Sequence, residues 1–366
     1  MADPNPHTPP RRVLMLAHAY QAPYRVMRCA AALGARVYVF AGPGAKALSL
    51  SRYCAGLRDF SFDPPPLPEA AIARIEAFAE TYGIDMILPA DAIATRFLAG
   101  IRDRLSTPVF PIPDVNTFDA LATKDRFMAF CREHGVRHPE GHMFANRAAL
   151  LAAVENDAIR LPAILKPIDR WGSVGVVKID AGNARDTITS LDYAPVLAQD
   201  FIDGIDRSIS VFCMNGAVQK QVTYCYPDGA FTFASEPELA RIVRGIARDL
   251  KLDGVFNFDA RIEADGTVWL LECNPRFFFT MDAAMIAGAN FARIETAPET
   301  GVITVPDGAL RQPQALLRHL AKFGLPCWRD LRMLAHWLKD PKFFAFQILG
   351  RRSGDRWIAP ALAPQR

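Results

Sequence analysis

The chain has 366 residues, of which 51% are hydrophobic and 22% are charged, and its formal net charge is +3. This length suits two or three domains with a large buried core. The chain lacks the large excess of basic residues that is typical of a nucleic-acid-binding protein, so we expect no nucleic-acid partner. No apolar run reaches the length of a transmembrane segment, which is roughly 20 residues.

Residues 1–11 are rich in proline and polar side chains and lack the apolar segment of a signal peptide, so we predict a disordered tail. The seven cysteines are scattered and include no C-x-x-C pair. This pattern favours reduced thiols and a cytoplasmic location.

Residues 12–115 predict a small α/β domain with a Rossmann-like parallel sheet. The order of the strand RVLMLAH (12–18), a helix and the strand RVYVFAG (36–42) is a βαβ unit. A further helix and a buried strand follow at 69–83 and 84–91. The first turn, AHAYQAPYR, contains no glycine, so the dinucleotide-binding G-x-G-x-x-G loop is absent.

Several polar residues lie where an open α/β sheet presents its ligand-binding crevice, and we expect an acceptor substrate there. They are His18, Tyr20, Gln21, Arg25 and Asp91.

Residues 116–300 predict an α+β region in which strands are followed by helices. His134, His138 and His142 have a regular four-residue spacing, but Gly135 and Pro139 interrupt any helix that could align them. We therefore expect no histidine metal site in this region.

The region from residue 301 to 366 is predicted to be mostly helical. Its stretch LRMLAHWLKDPKFFAFQILGRR mixes bulky apolar residues with basic ones. Packing onto the preceding domains is the commonest role of such a stretch. Peripheral contact with a membrane surface and binding of a partner protein are the alternatives.

The stretch FNFDARIEADGTVWLLECNPR (256–276) predicts a β-hairpin with Asp265-Gly266 at the centre of a type I′ turn. This turn places Asp259 directly opposite Glu272. Alternation then divides the side chains between two faces. We expect a core face of Phe256, Phe258, Ala260, Ile262, Trp269, Leu271 and Cys273, and an opposite face of Asn257, Asp259, Arg261, Glu272 and Asn274.

Two carboxylates at facing positions repel each other, so another group must offset their charge. A proton shared between them is one solution. A salt bridge to Arg261 is another, and a divalent cation bound by Asp259, Glu272 and Asn274 is the third. The spacing alone leaves metal and salt bridge equally open.

A phosphate-binding loop is suggested upstream, where Lys166 ends the strand AILKP. The next turn contains Gly172, Ser173 and Gly175, whose backbone N–H groups can close over phosphate oxygens. Together with LATKDRF, AQDFIDGIDRS and LLECNPR, in this order, the stretch closely resembles the ATP-grasp superfamily. The resemblance covers residues 12–296 and is strongest to carboxylate–amine ligases with a carbamoyl-phosphate-synthase-type ATP-binding domain.

The resemblance implies three folded regions: a pre-ATP-grasp α/β domain (12–115), an ATP-grasp domain of two lobes (116–300) and a helical C-terminal region (301–366). It also implies ATP and Mg²⁺ or Mn²⁺ as cofactors. Lys124 and Lys166 match the phosphate-contacting lysines, and Asp206 matches the acidic residue that holds the ribose, where many members have glutamate. The flap over the phosphates corresponds to Gly172, Ser173, Val174 and Gly175, and the adenine hinge to Gln199, Asp200, Phe201 and Ile202.

The remaining implied residues serve the metal and the transferred phosphate. Asp259, Glu272 and Asn274 match the metal ligands, and Arg276 matches the arginine that steadies the phosphate. Each residue also has a structural interpretation: Lys124 as a solvated helix residue, Asp206 as a turn residue and Arg276 as a partner of Glu272. The ordered occurrence of the motifs favours ATP binding. Lys178 and Lys220 are interpreted as solvated strand residues.

The chain departs from the family after NPR, where Phe277, Phe278 and Phe279 replace a small-residue turn. They predict a bulky apolar acceptor side, unless two of the three belong to the core.

The implied activity is ATP-dependent ligation of a small-molecule carboxylate and an amine through an acyl-phosphate. A kinase-like or carboxylating enzyme and a non-catalytic ATP-binding regulatory module are the alternatives. The oligomeric state stays open.

Overall fold

The structure is a computed structural model that describes residues 11–62, 67–168, 174–226, 229–294 and 301–350, apart from the side chains of 348–350. The described parts form two compact units. The first contains the described residues within 1–118, 207–258 and 274–353, and the second those within 119–206 and 259–273. The boundaries proposed from sequence, near 115 and 300, stay predictions.

A four-stranded parallel sheet with the order β3-β2-β1-β4 opens the chain, as predicted. Strand β1 is buried on both faces, because Val13 and Met15 enter one hydrophobic cluster while Leu14 and Leu16 enter another. The elements are β1 (Arg12–Ala19), α1 (Gln21–Ala31), β2 (Arg36–Gly44), β3 (Cys54–Asp59), α2 (Pro68–Tyr82), β4 (Met86–Pro89) and α3 (Ala92–Ala99).

An antiparallel sheet with the order β5-β8-β6-β7 forms the centre of the second unit. Strand β6 lies between two neighbours, and its residues Ala163 and Leu165 are fully buried. The elements are α4 (Val115–Ala122), α5 (Lys124–Glu133), β5 (Gly141–Phe144), α6 (Arg147–Glu155), β6 (Ala163–Pro167), β7 (Val177–Ile179), α7 (Ala184–Ser190) and β8 (Val196–Asp200).

A six-stranded sheet has the order β13-β12-β9-β10-β11-β14. Its elements are β9 (Ile205–Met214), β10 (Ala217–Cys225), β11 (Ala230–Phe233), α8 (Pro237–Asp249), β12 (Gly254–Ile262), β13 (Val268–Asn274), α9 (Met281–Ala287) and β14 (Gly308–Arg311). Three helices then end the described chain: α10 (Pro313–Ala321), α11 (Trp328–Leu338) and α12 (Pro341–Gly350). None of the described helices combines the length and the apolarity needed to traverse a bilayer.

The C-terminal helices, which belong to the first unit, pack through one side against its parallel sheet and α1. Met333, Trp337 and Phe343 belong to the same hydrophobic cluster as β1 and β2. The ring of Tyr24 stacks on Phe343 with 3.7 Å between centroids. The buried carboxylate of Asp340 accepts hydrogen bonds from the Tyr24 hydroxyl at 3.2 Å and from the Arg52 amide at 3.1 Å. Packing onto the body, one of the three predicted roles, is therefore present.

The turn of the β12–β13 hairpin differs from the prediction. The Gly266 N–H donates to the Glu263 carbonyl at 3.0 Å, and the Glu263 N–H donates to the Thr267 carbonyl at 3.0 Å. Gly266 has a φ of +87°, whereas Asp265 lacks the positive φ that a type I′ turn requires. The loop is thus a four-residue turn, 263–266, whose last residue is the left-handed Gly266, and Glu263 lies opposite Thr267.

The altered turn corrects the predicted faces of β13. Val268 and Leu270 are buried, whereas Trp269 and Leu271, which were expected in the core, are half-buried. Cys273 is buried again, so the alternation of side chains changes phase between Leu270 and Cys273, as it does at a β-bulge. This phase change returns Glu272 and Asn274 to the less buried face.

A glycine substitution tests the close approach that starts β12. Gly254 has a φ of +106°, and a Cβ atom there would lie 2.6 Å from the Pro111 carbonyl oxygen. We expect Gly254→Ala to lower the free energy of unfolding by about 2 kcal/mol or more, measured by urea denaturation. Gly245→Ala, in the open interior of α8, is the matched control and should change stability by about 1 kcal/mol at most, in the favourable direction. Equal urea midpoints for Gly254→Ala and Gly245→Ala would contradict the close approach of Gly254 to Pro111.

Candidate active site

Lys166 is the central residue of the candidate site. It lies near the end of the buried strand β6, opposite Leu197 of β8, and its side chain is only 9% exposed. Burial lowers the pKa of Lys166, because a charged ammonium loses its hydration there. The Glu272 carboxylate acts in the opposite direction and raises the pKa, and the Asp259 carboxylate adds to that effect.

Lys124 belongs to the same electrostatic environment. It is the first residue of α5, and its positive charge lowers the pKa of Lys166 further. The second unit therefore brings together two lysines and two carboxylates that are far apart in the sequence: Lys124, Lys166, Asp259 and Glu272. Two ammonium groups suit a polyphosphate, and two carboxylates suit a divalent cation.

The carboxylates fit a cation that is shared with a phosphate ligand. Across the described residues there is no group of three or more His, Cys, Asp and Glu side chains arranged for a metal. The predicted set has only two carboxylates, Asp259 and Glu272, and the amide oxygen of Asn274. Mg²⁺ commonly takes one or two protein carboxylates and completes its shell with phosphate oxygens and water. The donor set is therefore suited to Mg²⁺ arriving with a nucleotide.

Asn274 and Arg276 belong to the first unit. Arg276 donates from Nη2 to the Asn274 amide oxygen at 2.9 Å and from Nη1 to the Phe277 carbonyl at 3.0 Å. The Arg276 N–H also donates to the Asn274 carbonyl at 2.8 Å. These bonds fix the turn that follows β13 and hold the two motif residues against each other.

The predicted adenine hinge follows β8. Gln199 is buried, and its Nε2 donates to the Met128 sulfur and the Pro139 carbonyl, both at 3.3 Å. Its Oε1 is buried and has no hydrogen-bond partner among the residues that the structure describes. Buried acceptors normally receive a hydrogen bond. The amino group of an adenine is one kind of N–H donor that could satisfy this oxygen.

Arg261 holds the hinge in place, a role that the sequence did not predict. Its Nη1 donates to the Ile202 carbonyl at 3.0 Å, and its Nη2 and Nε donate to Asp206 at 2.7 and 3.0 Å. Lys178 lies over the Phe201 ring, with its Nζ 3.7 Å from the centroid. The Arg261 guanidinium is therefore used by the hinge, whereas a salt bridge to Glu272 was one of the three alternatives that the sequence left open. The alternation of side chains along β12 predicts that Arg261 shares a face with Asp259. That the hinge passes beside Arg261 is visible only in the folded structure.

The predicted phosphate flap is described in part. Gly172 and Ser173 lie outside the described residues. Val174 is exposed, and Gly175 has a φ of +79° that favours glycine. The Gly175 carbonyl accepts a hydrogen bond from the Tyr193 hydroxyl at 2.7 Å, which ties the end of the flap to the segment before β8.

Two residues of the predicted substrate crevice, Arg25 and Asp91, make internal contacts. Arg25 is 2% exposed, lies 3.4 Å from the Asp282 carboxylate and stands over the Phe279 ring at 4.2 Å. Asp91 accepts hydrogen bonds from the His18 and Ala19 amides at 2.6 and 3.2 Å and caps α3. Arg25 and Asp91 thus make internal contacts, and the expectation of an acceptor substrate at this crevice stays a prediction.

Two other interpretations are resolved by burial. Lys220 was expected to be solvated but is fully buried, and its Nζ donates to the Asn290 carbonyl at 2.8 Å. Phe277 and Phe278 are buried, whereas Phe279 is 36% exposed. Two of the three phenylalanines thus belong to the core.

Comparisons with known proteins agree on the fold. A family model described as "ATP-grasp in the biosynthetic pathway with Ter operon" matches residues 192–322. Carboxyaminoimidazole ribonucleotide synthase from Aspergillus clavatus, solved with ATP, superposes with a TM-score of 0.62 at 16% identity, covering 81% of this chain and 80% of that one. The chain has the ATP-grasp fold. The resemblance inferred from the motifs is confirmed at the level of the fold.

Two further solved structures share the ATP-grasp fold. The L-amino acid ligase from Bacillus licheniformis has a TM-score of 0.59 at 18% identity, covering 77% of this chain and 72% of that one. The biotin carboxylase domain of 2-oxoglutarate carboxylase from Hydrogenobacter thermophilus, solved with MgADP and bicarbonate, has a TM-score of 0.58 at 15% identity, covering 82% and 73%. A search of curated proteins gave no significant match.

Removal of the contacts that Arg261 makes with Ile202 and Asp206, which we call the hinge clamp, should weaken nucleotide binding. In Arg261→Met the Ile202 carbonyl and Asp206 lose their donor, so we expect the Kd for ATP, measured by isothermal titration calorimetry, to rise about tenfold. Arg241→Met removes an exposed ion pair with Glu238 and is the matched control. Equal affinity in the two variants would show that the clamp does not support a nucleotide site.

Proposed function

We propose that the protein is an ATP-dependent carboxylate–amine ligase that forms an amide through an acyl-phosphate and releases ADP and phosphate. One observation carries the proposal: Lys166 is buried in a field set by Lys124, Glu272 and Asp259. A lysine used only for packing does not need this environment, whereas a phosphate-binding lysine beside metal-binding carboxylates does.

The chain's own groups then divide the binding of the nucleotide. Lys166 and Lys124 contact the phosphates, and the flap residues close over them. The hinge from Gln199 to Ile202 receives adenine, and Asp206 receives the ribose. Asp259, Glu272 and Asn274 would hold Mg²⁺ or Mn²⁺, which when bound supplies positive charge to the phosphate oxygens.

The partners of Lys166 should change when ATP binds. Before ATP binds, Lys166 offsets the repulsion between the two carboxylates. When a triphosphate enters, its oxygens compete with Glu272 and Asp259 for the Lys166 ammonium. The carboxylates then become available to a divalent cation, so nucleotide and cation binding are coupled.

The reaction has two steps. The substrate carboxylate attacks the γ-phosphorus of ATP, the bond to ADP breaks, and an acyl-phosphate forms. The amine then attacks the acyl carbon, phosphate leaves, and a proton is lost from nitrogen. Lys166 and Arg276 neutralise charge on the transferred phosphoryl group, and for Arg276 this role rests on its place in the LLECNPR motif.

The compared structures support this chemistry by analogy, since they include an L-amino acid ligase and enzymes solved with ATP or MgADP. The proposed substrates are small molecules. All seven cysteines are free, which agrees with the cytoplasmic location that we propose.

An assay of ADP release tests the ligase directly. Purified protein, ATP and Mg²⁺ are incubated with a panel of carboxylates and amines, each alone and in pairs. A ligase releases ADP at full rate only with a pair, and hydroxylamine in place of the amine gives a hydroxamate. Release that depends on bicarbonate would instead identify a carboxylating enzyme. ATP binding without turnover under every condition would indicate a regulatory module.

The metal assignment makes its own prediction. Glu272→Ala and Asn274→Ala should abolish ATP turnover while leaving the thermal unfolding temperature within a few degrees of the parent. Glu238→Ala, on the exposed face of α8, is the control and should retain activity. Normal turnover in either site variant would remove Glu272 or Asn274 from the metal site.

The lowered pKa of Lys166 predicts a pH effect. The charged form binds phosphate, so kcat/KM for ATP should fall as pH rises through a value below that of an ordinary lysine. In Lys166→Arg the guanidinium stays charged, so the alkaline fall should move to higher pH even if the maximal rate is lower. An unchanged alkaline limb in Lys166→Arg would assign that limb to another group.

A further inference from the structure

The C-terminal helices expose an apolar surface on the side away from the core. We define the helical tip as the end of α10, the connecting loop and α11. Its most exposed apolar residues are Leu317 (67%), Phe323 (97%), Leu325 (87%), Trp328 (57%), Leu331 (53%) and Leu338 (55%). Those in α11 recur at helical spacing and form a stripe, while Met333 and Trp337 of the same helix face the core. Clustered exposure of this kind marks an interaction surface.

The most exposed side chain of the helical tip, that of Phe323, is carried by an unfavourable backbone conformation. Phe323 has a φ of +60°, a left-handed conformation that is rare for a bulky residue. His319 organises the loop around it, since its carbonyl accepts from the Gly324 N–H at 3.0 Å and its Nε2 lies 3.1 Å from the Leu325 carbonyl. The His319 ring packs so closely on Gly324 that a Cβ atom there would clash with it. Strain kept at an exposed aromatic residue indicates a binding role.

The charge of the helical tip selects one kind of partner. Between residues 313 and 347, all of which the structure describes, the exposed charged side chains are basic: Arg318, Lys322, Arg332, Lys339 and Lys342. The two acids of this segment, Asp330 and Asp340, are buried. Asp330 accepts from Arg311 at 2.8 Å, and Asp340 accepts from Tyr24. The apolar side chains are therefore bordered by positive charge.

We propose that the helical tip is a peripheral membrane anchor that binds the surface of an anionic lipid bilayer. Phe323, Leu325 and Trp328 enter the interfacial region, and the basic side chains contact lipid phosphates. Arg332 lies over the Trp328 ring at 5.4 Å, which joins the apolar and basic parts of the surface. Pairing with a second copy through the same surface would bring like charges together, which disfavours a dimer. The inference does not depend on the proposed ligase reaction.

Vesicle flotation tests the anchor with the full-length protein. Vesicles of phosphatidylcholine alone are compared with vesicles in which about one-third of the lipid is phosphatidylglycerol. We expect binding to the anionic vesicles only, and a decrease as salt rises. Phe323→Ser and Lys322→Glu should each lower the partition coefficient about tenfold. Leu67→Ser, at an apolar side chain that is 75% exposed elsewhere in the first unit, should not change it.

Two kinds of result would overturn the proposal. Absence of binding to anionic vesicles, or equal binding by the parent and the helical-tip variants, would remove the membrane as the partner. A dimer in light scattering that Phe323→Ser converts to a monomer, without vesicle binding, would make the surface a protein interface. Circular dichroism should give matching unfolding temperatures, since the substituted side chains are exposed.

Discussion

The candidate site depends on keeping a lysine charged inside the protein. Lys166 lies on an inner strand, where loss of hydration disfavours its ammonium form, and Glu272 and Asp259 supply the opposing charge. The same pairing answers the problem that the hairpin raises, because two carboxylates on one face are tolerable when ammonium groups lie near them. Strand β6 thereby couples the sheet of the second unit to the acids of β12 and β13. A ligand that takes over the lysine must bring its own cation to the acids.

A second set of contacts positions the hinge. Arg261 holds the Ile202 carbonyl and Asp206 together, so the segment after β8 cannot move independently of β12. Gln199 is held by Met128 and Pro139 through its amide nitrogen. The hinge and the charged cluster therefore belong to one preorganised unit, and preorganisation reduces the entropy that a nucleotide must lose on binding.

The sequence was most informative where local pattern and chemistry agree. The strand–helix–strand order correctly predicted the parallel sheet, and Asp259 and Glu272 both lie close enough to Lys166 to affect its pKa. The type I′ turn was wrong because Glu263 and Gly266 close a longer loop, and the phase change in β13 then compensates for it. Burial of Arg25 and Lys220 could not be predicted, since their partners come from segments more than 60 residues away. Tertiary packing, which no local window contains, decided these cases.

The C-terminal helices show the same division, with one side completing the core and the other exposed beside basic residues. A crystal structure with Mg²⁺ and a non-hydrolysable ATP analogue would show whether Lys166 binds phosphate. The account predicts Lys166 Nζ about 3 Å from a phosphate oxygen, with the cation bound by Asp259 and Glu272. A nucleotide bound elsewhere, or Lys166 still paired with the carboxylates while phosphates are present, would contradict it.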